Sequence, residues 1–238
     1  MTMRTGSQEQ LALTTRRSFT LTIAMLLGIG FPLPVSAETT VEDWQGQSVG
    51  TRGIPSGWEP YRTPGGHPAY DFSVVDVGGR RALRLSSHGD RSTIARAVQV
   101  DLKATPVLEW SWKAVRLPAG ADVRRSATSD SAAQVLVVWP RPPELLRSRI
   151  IAYAWDTTAP ANSIERSRKA GTVTFVIVRS GPAELARWLT ERRNVYEDYR
   201  RIYGGEPDAV RVIALSIDTN DTRAPAEALV GPIVFRRS

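Results

Sequence analysis

The most regular alternation of apolar and polar residues lies at residues 107–115, which read Val-Leu-Glu-Trp-Ser-Trp-Lys-Ala-Val. Successive side chains of a β-strand point to opposite faces, so Trp110 and Trp112 share one face and Glu109 and Lys113 share the other. The pattern predicts a strand whose tryptophan face packs in a core. Its charged face is expected to look out of a sheet and to form one wall of a candidate site.

Further short apolar stretches recur along the chain and are separated by turn residues. Gly78 and Gly79 join two of them in a tight hairpin, because glycine accepts positive φ. Many short strands and a single helix predict a mainly β fold, an antiparallel β-sandwich of jelly-roll type with one amphipathic α-helix packed on it. The predicted strands cover residues 41–44, 70–77, 81–87, 92–100, 107–115, 132–139, 150–156, 173–179, 210–218 and 233–236.

The single helix is predicted over residues 183–203. Apolar residues recur there at mostly helical spacings, and Gly204 and Gly205 end the pattern. We interpret this segment as a surface helix whose charged face lies in solvent. The alternative is that Arg192 and its neighbours on the polar face reach toward a ligand.

The first 37 residues have the pattern of an export signal. Paired arginines in Thr-Arg-Arg-Ser-Phe resemble the twin-arginine motif, a short apolar run follows at residues 21–29, and Val-Ser-Ala matches a signal-peptidase site. We expect cleavage after Ala37, which leaves one domain over residues 38–238 without a membrane span. The predicted location is periplasmic or secreted; an uncleaved anchor and the general secretory route are the alternatives.

Composition removes several classes of function. The chain contains no cysteine, so it has neither a disulfide framework nor a thiolate nucleophile. Its net charge is +7, but the arginines are scattered among acidic residues, and we therefore expect no nucleic-acid partner. With only two histidines, His67 and His88, a multi-histidine zinc or iron site is not expected.

Five motifs are spread over nearly the whole predicted domain. They read LEWSWK at residues 108–113, DSAAQV at 130–135, YAW at 153–155, WLTERRNVYEDY at 188–199 and IDTNDT at 217–222. Together they resemble a family of exported bacterial proteins that is known only as a domain of unknown function, number three-zero-four-seven. The resemblance implies a jelly-roll sandwich like that of carbohydrate-binding modules, and it brings no activity with it. This chain departs from the family pattern at Ser129 and Gln134, where the family has an acidic residue and an arginine.

Oxygen-bearing side chains cluster at Asp218, Asn220 and Asp221. Hard cations such as Ca²⁺ prefer ligands of this kind, so a structural Ca²⁺ is one expectation. The same residues are also typical of a turn in which Asp and Asn side chains bond to nearby backbone. The sequence leaves both interpretations open and favours the turn.

Aromatic residues give a further signal for ligand binding. Trp110 and Trp155 lie among apolar neighbours, which is typical of core packing. Trp58, Trp139 and Tyr61 lie near predicted loops, where a ring could stack on a ligand.

The sequence supports three hypotheses for function. The first is a non-catalytic binder of carbohydrate or another small polar ligand. The second is a cell-envelope hydrolase or lyase that uses Glu109 and Asp130 as acid and base, although an ion pair between Glu109 and Lys113 is the simpler interpretation. The third is a structural or interaction protein without a small-molecule site. The residues expected to line a binding site are Glu109, Lys113, Asp130, Gln134, Arg192 and Asp218.

Overall fold

Two β-sheets pack face to face in the computed structural model, which describes residues 38–61 and 68–238. The predicted export signal and His67 lie outside these residues. The β-sandwich prediction is confirmed. Within the described residues, no helix is long and apolar enough to cross a membrane.

The described residues form thirteen strands, two α-helices and a short 3-10 turn at Ser126–Thr128. In chain order the strands and helices are β1 Glu38–Glu42, β2 Glu59–Pro60, β3 Asp71–Val77, β4 Arg80–Ser87, β5 Arg91–Val100, β6 Val107–Arg116, β7 Ser131–Trp139, α1 Glu144–Arg147, β8 Arg149–Asp156, β9 Ile164–Arg166, β10 Val173–Ser180, β11 Leu189–Asn194, α2 Val195–Tyr203, β12 Val210–Asp218 and β13 Ala226–Arg236.

The strands divide into a six-stranded sheet and a seven-stranded sheet. The six-stranded sheet has the order β11-β6-β13-β4-β3, and β1 also pairs with β13. The seven-stranded sheet has the order β2-β5-β12-β7-β8-β10-β9. All paired neighbours run antiparallel except β8 and β10, which are parallel.

Strand β6 is the strand that the alternating pattern predicts. Trp110 and Trp112 are buried between the two sheets, where their rings lie 5.3 Å from Tyr153 and 5.7 Å from Trp155 of β8. Aromatic pairs at such distances stabilise a core beyond the area that they bury. The prediction that the tryptophan face of this strand is core is therefore confirmed.

The predicted helix over residues 183–203 is wrong in its first half. Leu189–Asn194 is strand β11, which pairs antiparallel with β6, and the helix α2 covers only Val195–Tyr203. Asn194 caps the helix by accepting a hydrogen bond from the backbone N–H of Glu197 at 3.1 Å. The strand has no apolar period of two for a sequence pattern to detect, because its buried side chain is the charged Glu191.

Helix α2 inserts into the sandwich more deeply than a surface helix does. Val195 and Tyr199 belong to the core between the sheets, and the Tyr199 ring lies 4.7 Å from Trp139 of β7. Asp198 accepts a hydrogen bond of 2.8 Å from the hydroxyl of Tyr153 and two from Arg193. The helix therefore links β11 of the six-stranded sheet to β7 and β8 of the seven-stranded sheet.

The outer face of the seven-stranded sheet carries a second apolar cluster. Leu136 and Val138 of β7 belong to it, together with residues of β8, β10 and β12. Val123 and Ala159, from two of the long loops, cover part of this face. Because both faces of β7 are covered, all of its residues are buried. A strand in such a position has a nearly continuous apolar sequence, as β7 does.

Candidate functional site: a groove on the seven-stranded sheet

A groove of about 1140 Å³ lies against the outer face of the seven-stranded sheet. Its walls come from β2 and Tyr61 after it, from helix α1, from the turn before β10 and from the turn after β12. This volume is slightly larger than the usual range of about 300 to 1,000 Å³ for small-molecule sites. The lining residues are Glu59, Pro60, Tyr61, Arg91, Glu144, Leu145, Leu146, Ile150, Lys169, Ala170, Gly171, Thr172, Val173, Asn220 and Asp221.

One wall of the groove is apolar and aromatic. Leu145 and Leu146 of α1 are 69% and 79% exposed, more than the other exposed large hydrophobic side chains of the described residues. Tyr61 lines the same groove, and burial together with the charge of Glu144 raises the pKa of its hydroxyl group. Exposed leucines beside a tyrosine form a surface that suits the apolar face of a ring-shaped ligand.

The other end of the groove is polar. Arg91 lies at the start of β5 with its Nε 3.3 Å from Asp218 Oδ2, and Lys169 forms an ion pair with Asp221. Arg91 Nε and Asn220 Oδ1 are buried and have no hydrogen-bond partner among residues 38–61 and 68–238. Buried polar atoms without a protein partner are costly, so these two atoms need a water molecule or a ligand atom as partner.

A small cavity of about 20 Å³ lies behind the polar end and shares Arg91 and Lys169 with the groove. The buried side chains of Gln134 and Asp218 close its far side. A cavity of this size holds about one water molecule. Burial raises the pKa of Asp218 to about 7; the charge of Asp130 adds to this shift and Arg91 opposes it.

Asp130 supports the turn that follows β12. It is fully buried and accepts hydrogen bonds from the backbone N–H groups of Asp221 at 3.1 Å and Thr222 at 2.7 Å, and from the Thr222 hydroxyl at 2.6 Å. Asp218 likewise accepts from the Asn220 N–H at 3.3 Å. These contacts are those of an acidic turn. In the described part of the chain, no group of three histidine, cysteine or acidic side chains is placed to hold a metal ion.

The six residues predicted to line one site fall into two groups. Asp130, Gln134 and Asp218 come together behind the polar end of the groove. Glu109, Lys113 and Arg192 lie instead on β6 and β11 of the six-stranded sheet, where Glu109 contacts Arg192 at 3.5 Å and Arg236 at 3.0 Å. The structure therefore does not bring Glu109 and Asp130 into one cleft, and the ion-pair partners of Glu109 are arginines rather than Lys113.

Of the three predicted aromatic platforms, Tyr61 alone lines the groove. Trp58 is buried, stacks on Trp44 at 5.8 Å and donates its indole N–H to Glu42. Trp139 is also buried and donates to the backbone carbonyl of Asp208 at 2.9 Å. Both tryptophans thus serve the fold.

Most of the groove residues were not singled out from the sequence, and Arg91, Leu145, Leu146 and Lys169 are the ones among them that matter for the account of the groove. The paired leucines directly after a proline-rich strand end are the one local signal that could have indicated an exposed apolar wall. Arg91 and Lys169 carry no such signal, because each resembles many other basic residues in this chain.

The fold and the groove together define a β-sandwich with a ligand-sized cleft on one sheet. The family model for "Protein of unknown function (DUF3047)" matches residues 56–234, and the chain belongs to this family. The resemblance that the five motifs indicated is thereby confirmed. No sequence among functionally curated proteins matches the chain.

Several solved structures are similar to this chain. A family 11 carbohydrate-binding module from Clostridium thermocellum, in complex with a β-1,3-1,4-mixed-linked tetrasaccharide, has 10% identity and a TM-score of 0.47, covering 84% of this chain and 96% of the module. A family 30 module of a cellulosomal cellulase from the same organism has 12% identity and a TM-score of 0.42, covering 84% and 98%. The xyloglucanase domain of NopAA from Sinorhizobium fredii has 9% identity and a TM-score of 0.40, covering 86% and 100%.

Proposed function

We propose that this protein is an exported, non-catalytic β-sandwich that binds a carbohydrate in the groove on its seven-stranded sheet. The observation that carries the proposal is the pairing of an apolar wall, formed by Tyr61, Leu145 and Leu146, with the polar side chains of Arg91 and Asn220 in one groove. Sugars present an apolar ring face and a set of hydroxyl groups. The two parts of the groove match these two features of a sugar.

Support for binding without catalysis comes from where the carboxylates lie and what they contact. Asp130 is fully buried and engaged by three hydrogen bonds, and Glu109 lies on the other sheet. Asp221 in the groove is held by Lys169. Among the described residues that line the groove, Glu59 and Glu144 are the remaining carboxylates, so these two are the candidates for acid and base if the groove hydrolyses a glycan.

The export part of the proposal rests on the N-terminal sequence pattern. The arginine pair, the apolar run at residues 21–29 and the site after Ala37 together support a periplasmic or secreted location. Cell fractionation with the intact gene tests this part. Recovery of the whole protein from the cytoplasm would contradict it.

Binding is tested by screening the exported protein on a glycan array and measuring affinities for the hits by titration calorimetry. We expect Tyr61→Ala and Leu146→Ser to weaken binding about tenfold each, because each removes part of the apolar wall, worth about 1.4 kcal/mol. Glu109→Ala is the matched control, since it removes a partly exposed side chain from the opposite sheet, and its affinity should equal that of the wild type.

Three results would contradict the proposal. The first is that no glycan binds. The second is that Glu109→Ala weakens binding while Tyr61→Ala does not. The third is release of reducing sugars that stops in Glu59→Gln or Glu144→Gln, which would make the protein an enzyme.

A further inference from the structure

Arg91 is the least satisfied cation of the groove. Its side chain is 21% exposed and lines both the groove and the small cavity behind it. An arginine carries five N–H donors in a fixed fork. Within the described residues, its one recorded polar contact is the 3.3 Å approach of Nε to Asp218, which does not have hydrogen-bond geometry.

The terminal nitrogens of Arg91 are accessible from the groove. Nε is the one guanidinium nitrogen of this residue that is both buried and unpaired in the described structure. The remaining N–H donors are therefore unpaired but reachable. The strand register holds them in place, because Arg91 of β5 lies directly opposite Asp218 of β12.

Basic and acidic side chains lie at different ends of the groove. Among the described residues of the polar end, Lys169 is held in a close ion pair with Asp221, whereas Arg91 makes a looser contact of 3.3 Å with Asp218 and its Nε has no hydrogen bond. The acidic residues Glu59 and Glu144 line the groove beside Tyr61, and Glu59 pairs with Ala95, four residues along β5 from Arg91. At about 3.4 Å per residue, that separation is about 14 Å. An anionic group is therefore favoured at the Arg91 end and disfavoured at the Tyr61 end.

We propose that Arg91 binds the carboxylate of an acidic sugar, so that the ligand of the groove is a uronic-acid-type glycan. This inference rests on the proposed carbohydrate-binding function. The planar fork of an arginine matches a carboxylate with two parallel hydrogen bonds. Asn220 lines the same polar end of the groove.

The test measures affinities for oligomers of galacturonic, glucuronic and mannuronic acid, each beside its neutral methyl ester, and for a neutral cello-oligosaccharide. We expect at least one acid to bind about ten- to a hundredfold more tightly than its ester. Arg91→Gln should abolish this preference, because it weakens binding of the acid more than binding of the ester. Arg91→Lys, which keeps the charge without the fork, should retain part of it.

Arg84→Gln is the matched control. Arg84 is paired in two hydrogen bonds with Glu227 on the six-stranded sheet, so this variant removes the same charge away from the groove. It should keep the preference for the acid. If Arg91→Gln does not fold, the comparison of Arg91→Lys with the wild type decides the question, and an unchanged acid preference in Arg91→Lys overturns the inference.

The outcomes separate this inference from the proposed function. Neutral glycans that bind as well as the acids, or an Arg91→Gln variant that weakens both equally, would overturn the acidic-sugar inference and leave carbohydrate binding intact. Binding of a sulfated glycan with no uronate binding would also overturn it. Failure to bind any glycan would overturn both.

Discussion

Asp218 is a carboxyl group that is kept away from water behind a groove. Burial raises its pKa to about 7, the neighbouring Asp130 adds to the shift, and Arg91 opposes it. Because the pKa in the folded state lies above the ordinary value, the folded state holds a proton that the unfolded chain has released. Stability from this group is therefore fully present below about pH 4 and is lost as the pH rises through about 7.

Replacing Asp218 by asparagine should flatten this pH dependence. The wild-type free energy of unfolding should fall between about pH 4 and about pH 7 by up to about 1.4 kcal/mol per pH unit relative to Asp218→Asn. Urea unfolding at four pH values measures the difference. Burial also raises the pKa of Asp156, but that group is common to both proteins and cancels in the comparison. Parallel curves for the two proteins would contradict the assignment.

Among single residues, the sequence indicated the polar side chains behind the groove but not the arginine that lines it. The family-like motifs at residues 130–135 and 217–222 contain Asp130, Gln134 and Asp218, and all three lie behind the groove. Arg91 could not be chosen in this way, because its role follows from pairing with a strand more than a hundred residues later. The residues around Arg91 in the sequence do not indicate which strand it will pair with.

Among the elements, β11 is a strand that the sequence pattern does not predict, because its buried side chain is a charged residue in an ion pair. Glu191 is buried, accepts the indole N–H of Trp112 at 3.0 Å and receives two hydrogen bonds from Arg179 of β10. A charged residue at the inward position removes the apolar alternation that marks a strand. Strand β6 was predicted correctly because its inward positions are apolar, with Trp110 and Trp112 among them. Pattern reasoning therefore succeeds where burial is apolar and fails where burial is ionic.

Removing the Glu191 carboxylate should break the contact between β11 and Arg179 of the seven-stranded sheet. Glu191→Ala leaves the Trp112 N–H and the Arg179 guanidinium without their acceptor, at an expected loss of about 3 kcal/mol in unfolding free energy. Glu109→Ala removes two partly exposed ion pairs, with Arg192 and Arg236, from the same sheet and should cost about 1 kcal/mol or less. Urea unfolding of the two variants provides the comparison. Equal losses would show that Glu191 does not link the sheets.

For the whole molecule, the fold class was predictable and the location of the groove was not. Short strands with turn residues between them indicate a sandwich from the sequence alone. Which sheet carries an open face depends on where loops and short helices lie, and the continuous apolar sequence of β7 suggests only that both of its faces are covered. Loops and short elements cover most of the outer face of the seven-stranded sheet. The groove is the space that α1, β2 and the turn before β10 leave open on that face.

The central claim is that ligand binds on the outer face of the seven-stranded sheet, and hydrogen–deuterium exchange with and without a saturating bound glycan tests it most directly. We expect slower exchange in α1, in the turn at residues 169–172 and around Tyr61, with no change on β11 or on the Glu109 face of β6. Slower exchange confined to β6 and β11, around Glu109 and Arg192, would contradict the claim.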